Sequence, residues 1–251
     1  MADAVEKTVK RGSGYSLRFA FAYLLVFAIF GGVIALFAVL VSGSKSAPWS
    51  SYRPQGSDPY AKAQNLANYI APRYRHQGGL LAAVEAEPLI VGNTAVDGIA
   101  FSRGTNSGVG GGFKQFEPAG GTIMYVFCGP KRNCAQSPAD AVETGSLLRR
   151  ESLELALYTF KYVGADSVVA LLPRLKNVGT PAIYLKRSQF SDVLSKPLAQ
   201  TLATQPTITS DSLDINEVAT IDRLTRDGLF VSQFQQLQNG RAVLVLGKGN
   251  R

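Results

Sequence analysis

Two cysteines are the residues whose type and spacing most clearly suggest chemistry. Cys128 and Cys134 are the only cysteines in the chain, and they enclose the loop CGPKRNC at the end of a predicted strand. Outside a reducing compartment, two close cysteines without competitors commonly form a structural disulfide. Thiol redox catalysis is an alternative, although thioredoxin-like enzymes place two residues between their cysteines at a helix N-terminus. Free or metal-bound thiols are a further alternative.

A single histidine, His76, limits the metal and acid-base chemistry that one copy of the chain can perform. Sites with two histidine ligands and the HExxH pattern are excluded, and no GxSxG accompanies a triad built on His76. We interpret it as a surface histidine. No metal site is predicted.

Glycines and carboxylates form no recognisable catalytic pattern. The glycine-rich stretch 104–112 lacks both the GxxxxGK of a P-loop and a GxGxxG that leads into a helix. The close acidic pairs, Glu85 with Glu87 and Asp211 with Asp214, fall on predicted turns and caps. We therefore expect a hairpin connection at the glycines, no cofactor and no catalytic residue.

An apolar run dominates the N-terminal part of the chain. Phe19 to Val41 contains twenty-three residues without a charge, and a helix of that length covers about 34 Å, enough to cross the hydrocarbon core of a bilayer. A cleaved signal peptide is the alternative, but its apolar region is shorter, at about 7–15 residues. The sequence therefore predicts a retained transmembrane helix.

Basic residues around this span predict its orientation. Lysine and arginine tend to stay on the cytoplasmic side, and four of them precede the span: Lys7, Lys10, Arg11 and Arg18. We predict a cytoplasmic tail over 1–18, a linker rich in Ser, Gly and Pro over 42–57, and one extracytoplasmic domain over 58–251. In the linker, Trp49 and Tyr52 are expected at the membrane interface.

Small residues and net charge indicate the kind of partner to expect. The small residues Ala28, Gly31, Gly32 and Ala35 offer a face on which another membrane helix could pack. The formal charge of +8 falls only to about +6 without the tail, which favours membrane lipid and anionic envelope polymers. Solubility alone also explains such a charge, and nucleic acid is disfavoured.

The outer part alternates helical and strand patterns. Asp58-Pro59 begins a helix that ends near Pro72, a second helix covers 146–163, and a third begins with a capping box of Asp214 and Glu217. Strands are predicted at 95–102, 122–128, 167–172, 182–186, 229–237 and 242–246. The last two are joined by the hairpin turn Asn239-Gly240.

Together these elements predict an α+β fold. The succession of strand, helix and strand over 122–172 implies a parallel crossover, whereas the C-terminal hairpin is antiparallel. We expect a mixed sheet covered by three or four helices.

The later half of the chain carries a resemblance. RRESLELALYTFKYV (149–163), ADSVVALLP (165–173) and IDRLTRDGLFVSQFQQLQNGRAVLVL (221–246) resemble a family of uncharacterised single-pass membrane proteins of actinobacteria. The resemblance implies a location in the bacterial envelope. It brings no activity, substrate or cofactor, so no functional residue is transferred from it.

These features favour a non-enzymatic envelope protein whose outer domain binds another protein, as an accessory or structural subunit of a membrane complex. The missing active-site pattern and the small-residue face of the span support this hypothesis. An extracytoplasmic enzyme, using thiols or dispersed carboxylates for hydrolysis, is the first alternative. A polyanion-binding module that acts through basic surface residues is the second.

Overall fold

The computed structural model describes residues 48–91, 94–102, 113–129, 135–136, 138–175 and 179–248, with seven more residues between positions 23 and 33. The chain divides into two units, Met1–Ala47 and Pro48–Arg251. Within the described residues, no helix combines the length and apolar character needed to cross a membrane. Most of the predicted span, 19–41, lies outside them, and so does the glycine-rich stretch 104–112.

The described residues of the first unit are helical and apolar. Six of them have large side chains that are 52–75% exposed: Tyr23, Val26, Phe27, Ile29, Phe30 and Val33. A Cβ placed on Gly32 would meet no atom within 4 Å. The predicted packing face is therefore open at Gly32, whereas Ala28, Gly31 and Ala35 lie outside the described residues.

Four α-helices belong to the described part of the second unit: α1 (Pro59–Ile70), α2 (Pro138–Tyr158), α3 (Ser191–Leu194) and α4 (Ile215–Thr225). A π-helical turn, Thr159–Val163, extends α2. Short 3-10 turns lie at Ala71–Arg73, Arg187–Phe190, Leu198–Gln200, Ser210–Ser212 and Arg226–Gly228. The predicted count of three or four helices is confirmed, and α2 begins eight residues earlier than predicted.

The strands of the described residues form one large mixed sheet and two small pairs. They are β1 (Arg75–His76), β2 (Gly79–Leu80), β3 (Ala83–Glu87), β4 (Ile90–Val91), β5 (Thr94–Ser102), β6 (Phe113–Pro118), β7 (Thr122–Cys128), β8 (Ala135–Gln136), β9 (Ser167–Leu171), β10 (Arg174–Leu175), β11 (Thr180–Lys186), β12 (Leu229–Gln236) and β13 (Ala242–Gly247). The large sheet has the order β3-β7-β9-β11-β12-β13-β5-β4, with β6 also paired to β5.

Both predicted connections within the large sheet are confirmed. β7 and β9 are parallel on either side of α2, and β12 and β13 form the antiparallel C-terminal hairpin. The hairpin loop closes with Gly240 at a φ of 80°, a value that glycine adopts without strain. A second parallel pair, β13 with β5, joins segments more than a hundred residues apart and has no local signal in the sequence.

The sheet curls back over itself. Phe101 of β5 packs against Tyr184 of β11 with ring centroids 5.4 Å apart, although these strands would be about 14 Å apart in a flat sheet with 4.8 Å between neighbours. The curl encloses a second core around Ile99, Val169 and Leu244. The first core lies between the other face of the sheet and the helices.

Local sequence explains where α1 begins. The Asp58 carboxylate accepts a hydrogen bond from the Ala61 backbone N–H at 2.9 Å, and Pro59 occupies the first helical turn. The apolar side chains at helical spacing, Ala63, Leu66 and Ile70, are fully buried against the first core. The predicted helix start is confirmed.

The segment from Pro48 to Ser57 differs from the expected tether. Trp49 packs edge-on against Tyr158 and Tyr162 at 5.3 and 5.6 Å between ring centroids, and Tyr52 stacks on Tyr69 at 3.6 Å. The Trp49 carbonyl also accepts a hydrogen bond from the Leu198 N–H at 2.8 Å. These residues therefore belong to the domain, because burial of their rings outweighs the turn-forming composition around them.

Replacing Trp49 with alanine should destabilise the domain. Loss of the packed ring is expected to lower the free energy of unfolding by about 3 kcal/mol, as measured by urea unfolding of the full chain in detergent micelles. The control Arg53→Ala changes an exposed side chain of the same segment and should leave the midpoint unchanged. Equal midpoints for wild type and Trp49→Ala would show that the segment is only a tether.

Candidate functional site

A buried ionic network is centred on α2. The Arg150 Nη1 donates to the Tyr74 hydroxyl at 2.6 Å, and this hydroxyl donates to Glu154 Oε2 at 2.6 Å. Arg73 Nη2 donates to the other Glu154 oxygen, also at 2.6 Å. Two residues after α1 and two residues of α2 are thus joined by charge-assisted hydrogen bonds.

The network continues from α2 to α4. Arg150 Nε donates to Glu217 Oε1 at 2.8 Å, and Arg150 Nη2 donates to the Ala203 carbonyl at 2.7 Å. Glu217 Oε1 also accepts from the Ala203 N–H at 3.0 Å. The predicted capping box is therefore half right. Asp214 caps α4 through the Asn216 N–H, but Glu217 binds Arg150 because the buried guanidinium is the stronger donor.

Burial makes this network electrostatically demanding. The side chains of Arg150, Glu154 and Glu217 are 1%, 4% and 7% exposed. Burial raises the pKa of Tyr74 well above its usual value, and the Glu154 charge adds to that effect. Burial also opposes the charge of Arg150, but Tyr74, Glu154 and Glu217 more than offset this and raise its pKa.

Glu151 lies beside the network but outside its hydrogen bonds. It is fully buried, and within the described part of the chain neither carboxyl oxygen has a hydrogen-bond partner. Burial raises its pKa well above the usual value for glutamate, the Glu154 charge adds to this, and Arg73 opposes it. Burial therefore favours the neutral form of the Glu151 carboxyl in the folded protein.

This arrangement can support packing but has little access for a substrate. Its charges are satisfied by one another, and Glu151, Arg150 and Tyr74 are at most 1% exposed. The chemistry of the network therefore holds three separate parts of the chain together: the end of α1, the middle of α2 and the start of α4.

Several accessible polar groups line a groove at the end of β11. This groove, of about 670 Å³, is lined by Asp166, Lys186, Arg187, Ser188, Ser191, Leu194 and Ser195. Lys186 is the last residue of β11, and the 3-10 turn and α3 that follow supply the remaining basic and hydroxyl groups. We call it the β11 groove.

Glu117, Tyr184 and Lys186 form a hydrogen-bonded cluster beside the β11 groove, which we call the clasp. Glu117 of β6 accepts hydrogen bonds from the Tyr184 hydroxyl at 2.6 Å and from the Lys186 ammonium at 2.7 Å. Burial raises the pKa of Tyr184, and its hydrogen bond to Glu117 adds to the shift. These contacts connect the edge strand β6 to β11 and close the curled sheet beside the groove.

A second pocket, of about 570 Å³, contains the single histidine. Arg75, His76 and Gln77 line it together with Thr209 and Asp211. Gln77 has a φ of 48°, as the first residue of the tight turn between β1 and β2 requires. His76 is half-buried at this site. The acidic pair of Asp211 with Asp214 is divided, because Asp211 lines the pocket while Asp214 caps α4.

The structure describes one of the two cysteines that are predicted to form a disulfide. Cys128 ends β7 and is disulfide-bonded, but Cys134 lies outside the described residues, so their pairing stays a prediction. Within the described residues, no three His, Cys, Asp or Glu side chains form a group suited to a metal ion.

Sequence reasoning did not identify the ionic network or the β11 groove. Opposite charges four residues apart on a helix commonly pair on its solvent side, whereas Arg150 and Glu154 approach to 3.4 Å in the interior. The charged run Arg149-Arg150-Glu151, which directly follows the apolar Leu147-Leu148, is the available signal. Nothing local marked Tyr74 or Glu217 as its partners, and the groove is formed by a turn without a recognisable motif.

Comparisons with protein-family models, curated proteins and solved structures yield no match for this chain. The resemblance to the actinobacterial membrane proteins therefore stays an expectation.

Replacing Arg150 with methionine tests the ionic network. The change leaves Glu217 and Glu154 buried with fewer partners, and we expect the free energy of unfolding to fall by about 3–5 kcal/mol. Urea unfolding followed by circular dichroism measures the loss. The matched control is Arg226→Met, which removes an exposed pair with Asp222 and should leave stability unchanged. A similar small effect for both variants would contradict a central role for Arg150.

Replacing Glu151 with glutamine tests its neutral state. A carboxyl with a raised pKa stabilises the fold fully below the pKa of unfolded glutamate, and this stability is lost as the pH rises. Relative to Glu151→Gln, the wild type should therefore lose stability as the pH rises from about 4.3, the pKa of glutamate in an unfolded chain, toward the raised pKa of the folded state. Unfolding midpoints across this range measure the difference. Glu85→Gln, at an exposed position, should run parallel to wild type, and a parallel line for Glu151→Gln would refute the assignment.

Proposed function

We propose that the chain is a membrane-anchored protein of the bacterial envelope whose outer domain binds another protein. It would act as an accessory subunit of a membrane complex. In this proposal residues 19–41 span the membrane, residues 1–18 are cytoplasmic and the domain that begins at Pro48 lies outside.

The observation that carries this proposal is the set of exposed apolar side chains between Tyr23 and Val33. At 100° per residue, Phe27 and Ile29 project to nearly opposite sides of the helix, so the apolar surface is not confined to one stripe. Each such side chain is favoured by about 1.5–3 kcal/mol in an apolar environment over water. Lipid, with another membrane helix at the Gly31-Gly32 face, would supply that environment.

Binding rather than catalysis is supported by where the chemistry of the domain lies. Glu151 and Tyr74, whose pKa values burial raises well above their usual range, are enclosed in the interior. The open β11 groove instead presents a lysine, an arginine and serine hydroxyls. Such groups make hydrogen bonds and ion pairs with a partner without any need for bond breaking.

Crosslinking in native membranes tests the proposal. The full chain should resist alkaline extraction of these membranes, and amine-reactive crosslinking should give one reproducible species that contains a second protein. This species should persist when residues 19–41 are replaced by an unrelated membrane span, because the domain carries the binding. Mass spectrometry of the species measures the outcome.

Two results would refute parts of this proposal separately. Release of the chain by alkali would show that it is not anchored through a membrane span. A chain that stays in the membrane but crosslinks to nothing would show that the domain is not a binding subunit.

A further inference from the structure

The β11 groove combines positive charge with hydrogen-bond donors in a concave site. Arg187 is exposed, and among the described residues no carboxylate lies within ion-pair distance of it. Lys186 contacts Glu117 through one oxygen, yet its side chain remains 37% exposed. The groove therefore has a guanidinium without a counter-charge and an ammonium that can reach a second anion.

Asp166 also lines the groove, where its carbonyl accepts a hydrogen bond from the Arg187 N–H at 2.9 Å. Asp166 lies against Gly121, so closely that a Cβ at Gly121 would stand 2.5 Å from Asp166 Oδ2. The Asp166 backbone joins the same turn, since its N–H donates to the Gly121 carbonyl at 2.8 Å. Asp166 thus holds the turn between β6 and β7, and within the described residues its carboxylate forms no ion pair with Arg187.

We propose that the β11 groove binds an acidic segment of a protein partner, with an aspartate or glutamate carboxylate on Arg187. This inference rests on the proposed function and names the partner chemistry of the outer domain. A planar guanidinium donates two parallel hydrogen bonds to a carboxylate. The neighbouring hydroxyls of Ser188 and Ser191, both exposed, donate to further acidic side chains or carbonyl groups of the segment.

The lining favours a peptide over other anions. Leu194 is the apolar residue of the groove, which offers little surface for an acyl chain. Aromatic side chains, on which the bases of a single-stranded nucleic acid would stack, are absent from the described lining. Hydroxyl groups beside a single arginine match the mixed carboxylates and carbonyls of an acidic peptide.

The test uses the full chain in uncharged detergent micelles and a fluorescein-labelled decaglutamate peptide, followed by fluorescence anisotropy. We expect saturable binding that weakens as salt is added, because the contact is charged and exposed. Arg187→Glu and, independently, Ser188→Glu should weaken it roughly tenfold. The control Arg53→Glu makes the same charge change outside the groove and should stay within about twofold of wild type.

Each outcome bears on the proposal. Circular dichroism should show that both variants are folded. If Arg187→Glu and Arg53→Glu then weakened peptide binding equally, the loss would come from the change in net charge, and the proposed site would be overturned. Phosphatidylglycerol vesicles or a ten-residue oligothymidylate that bound through Arg187 as tightly as the peptide would overturn the choice of partner. If the crosslinked species in native membranes persisted while the peptide failed to bind, the groove assignment would fail and the proposed function would stand.

Discussion

The packing of the helical layer depends on one buried guanidinium. Arg150 lies in the middle of α2, where neither water nor lipid can solvate its charge, so the surrounding chain must supply every partner. Tyr74, Glu154, Glu217 and the Ala203 carbonyl do so at 2.6 to 3.4 Å. Because an unpaired buried charge is costly, these partners restrict how the end of α1 and the start of α4 can approach α2. The network therefore specifies one arrangement of the helices more sharply than apolar contacts alone would.

The same helix separates two kinds of polar chemistry. Toward α1 and α4 it carries buried, paired charges, together with Glu151, whose neutral form is favoured by burial. Within the π-helical turn, Lys161 donates to the Leu194 carbonyl at 3.0 Å and so contacts the segment that forms the β11 groove. The buried groups of the ionic network stabilise the domain, whereas the exposed groups of the β11 groove are accessible to a partner. This division is the physical basis for interpreting the domain as a binding module.

The curled sheet is the second constraint. Its edge strand β6 is connected to β11 through Glu117, whose carboxylate accepts from both Tyr184 and Lys186. At the opposite edge, Gln64 of α1 accepts a hydrogen bond from the Ala86 N–H of β3 at 2.8 Å. Both edges are thus engaged by side chains, which reduces their tendency to pair with other chains. Lys186 belongs to the clasp and to the groove at once, so closure of the sheet also positions the proposed binding surface.

Much of the local structure follows from short-range patterns. The Asp58-Pro59 start of α1, the Asn239-Gly240 hairpin and the parallel pair β7 and β9 are all confirmed, because caps, turns and apolar periodicity act over a few residues or one crossover. The α+β class with a mixed sheet and four helices follows from the same patterns. The membrane span of residues 19–41 stays a prediction, since its apolar length is a property of the sequence that the described residues do not test.

Other features were settled only by contacts between distant segments. The pairing of β5 with β13, the curl that brings Phe101 onto Tyr184, and the partners of Arg150 have no local signal in the chain. Trp49 and Glu217 show the reason most clearly. The composition around Trp49 predicts a tether and the spacing of Glu217 predicts a cap, yet each side chain is taken up by the interior. Burying an indole or pairing a desolvated guanidinium is worth more free energy than the local preference it overrides. Such preferences are therefore reliable where the chain meets water and give way where tertiary contacts enclose it.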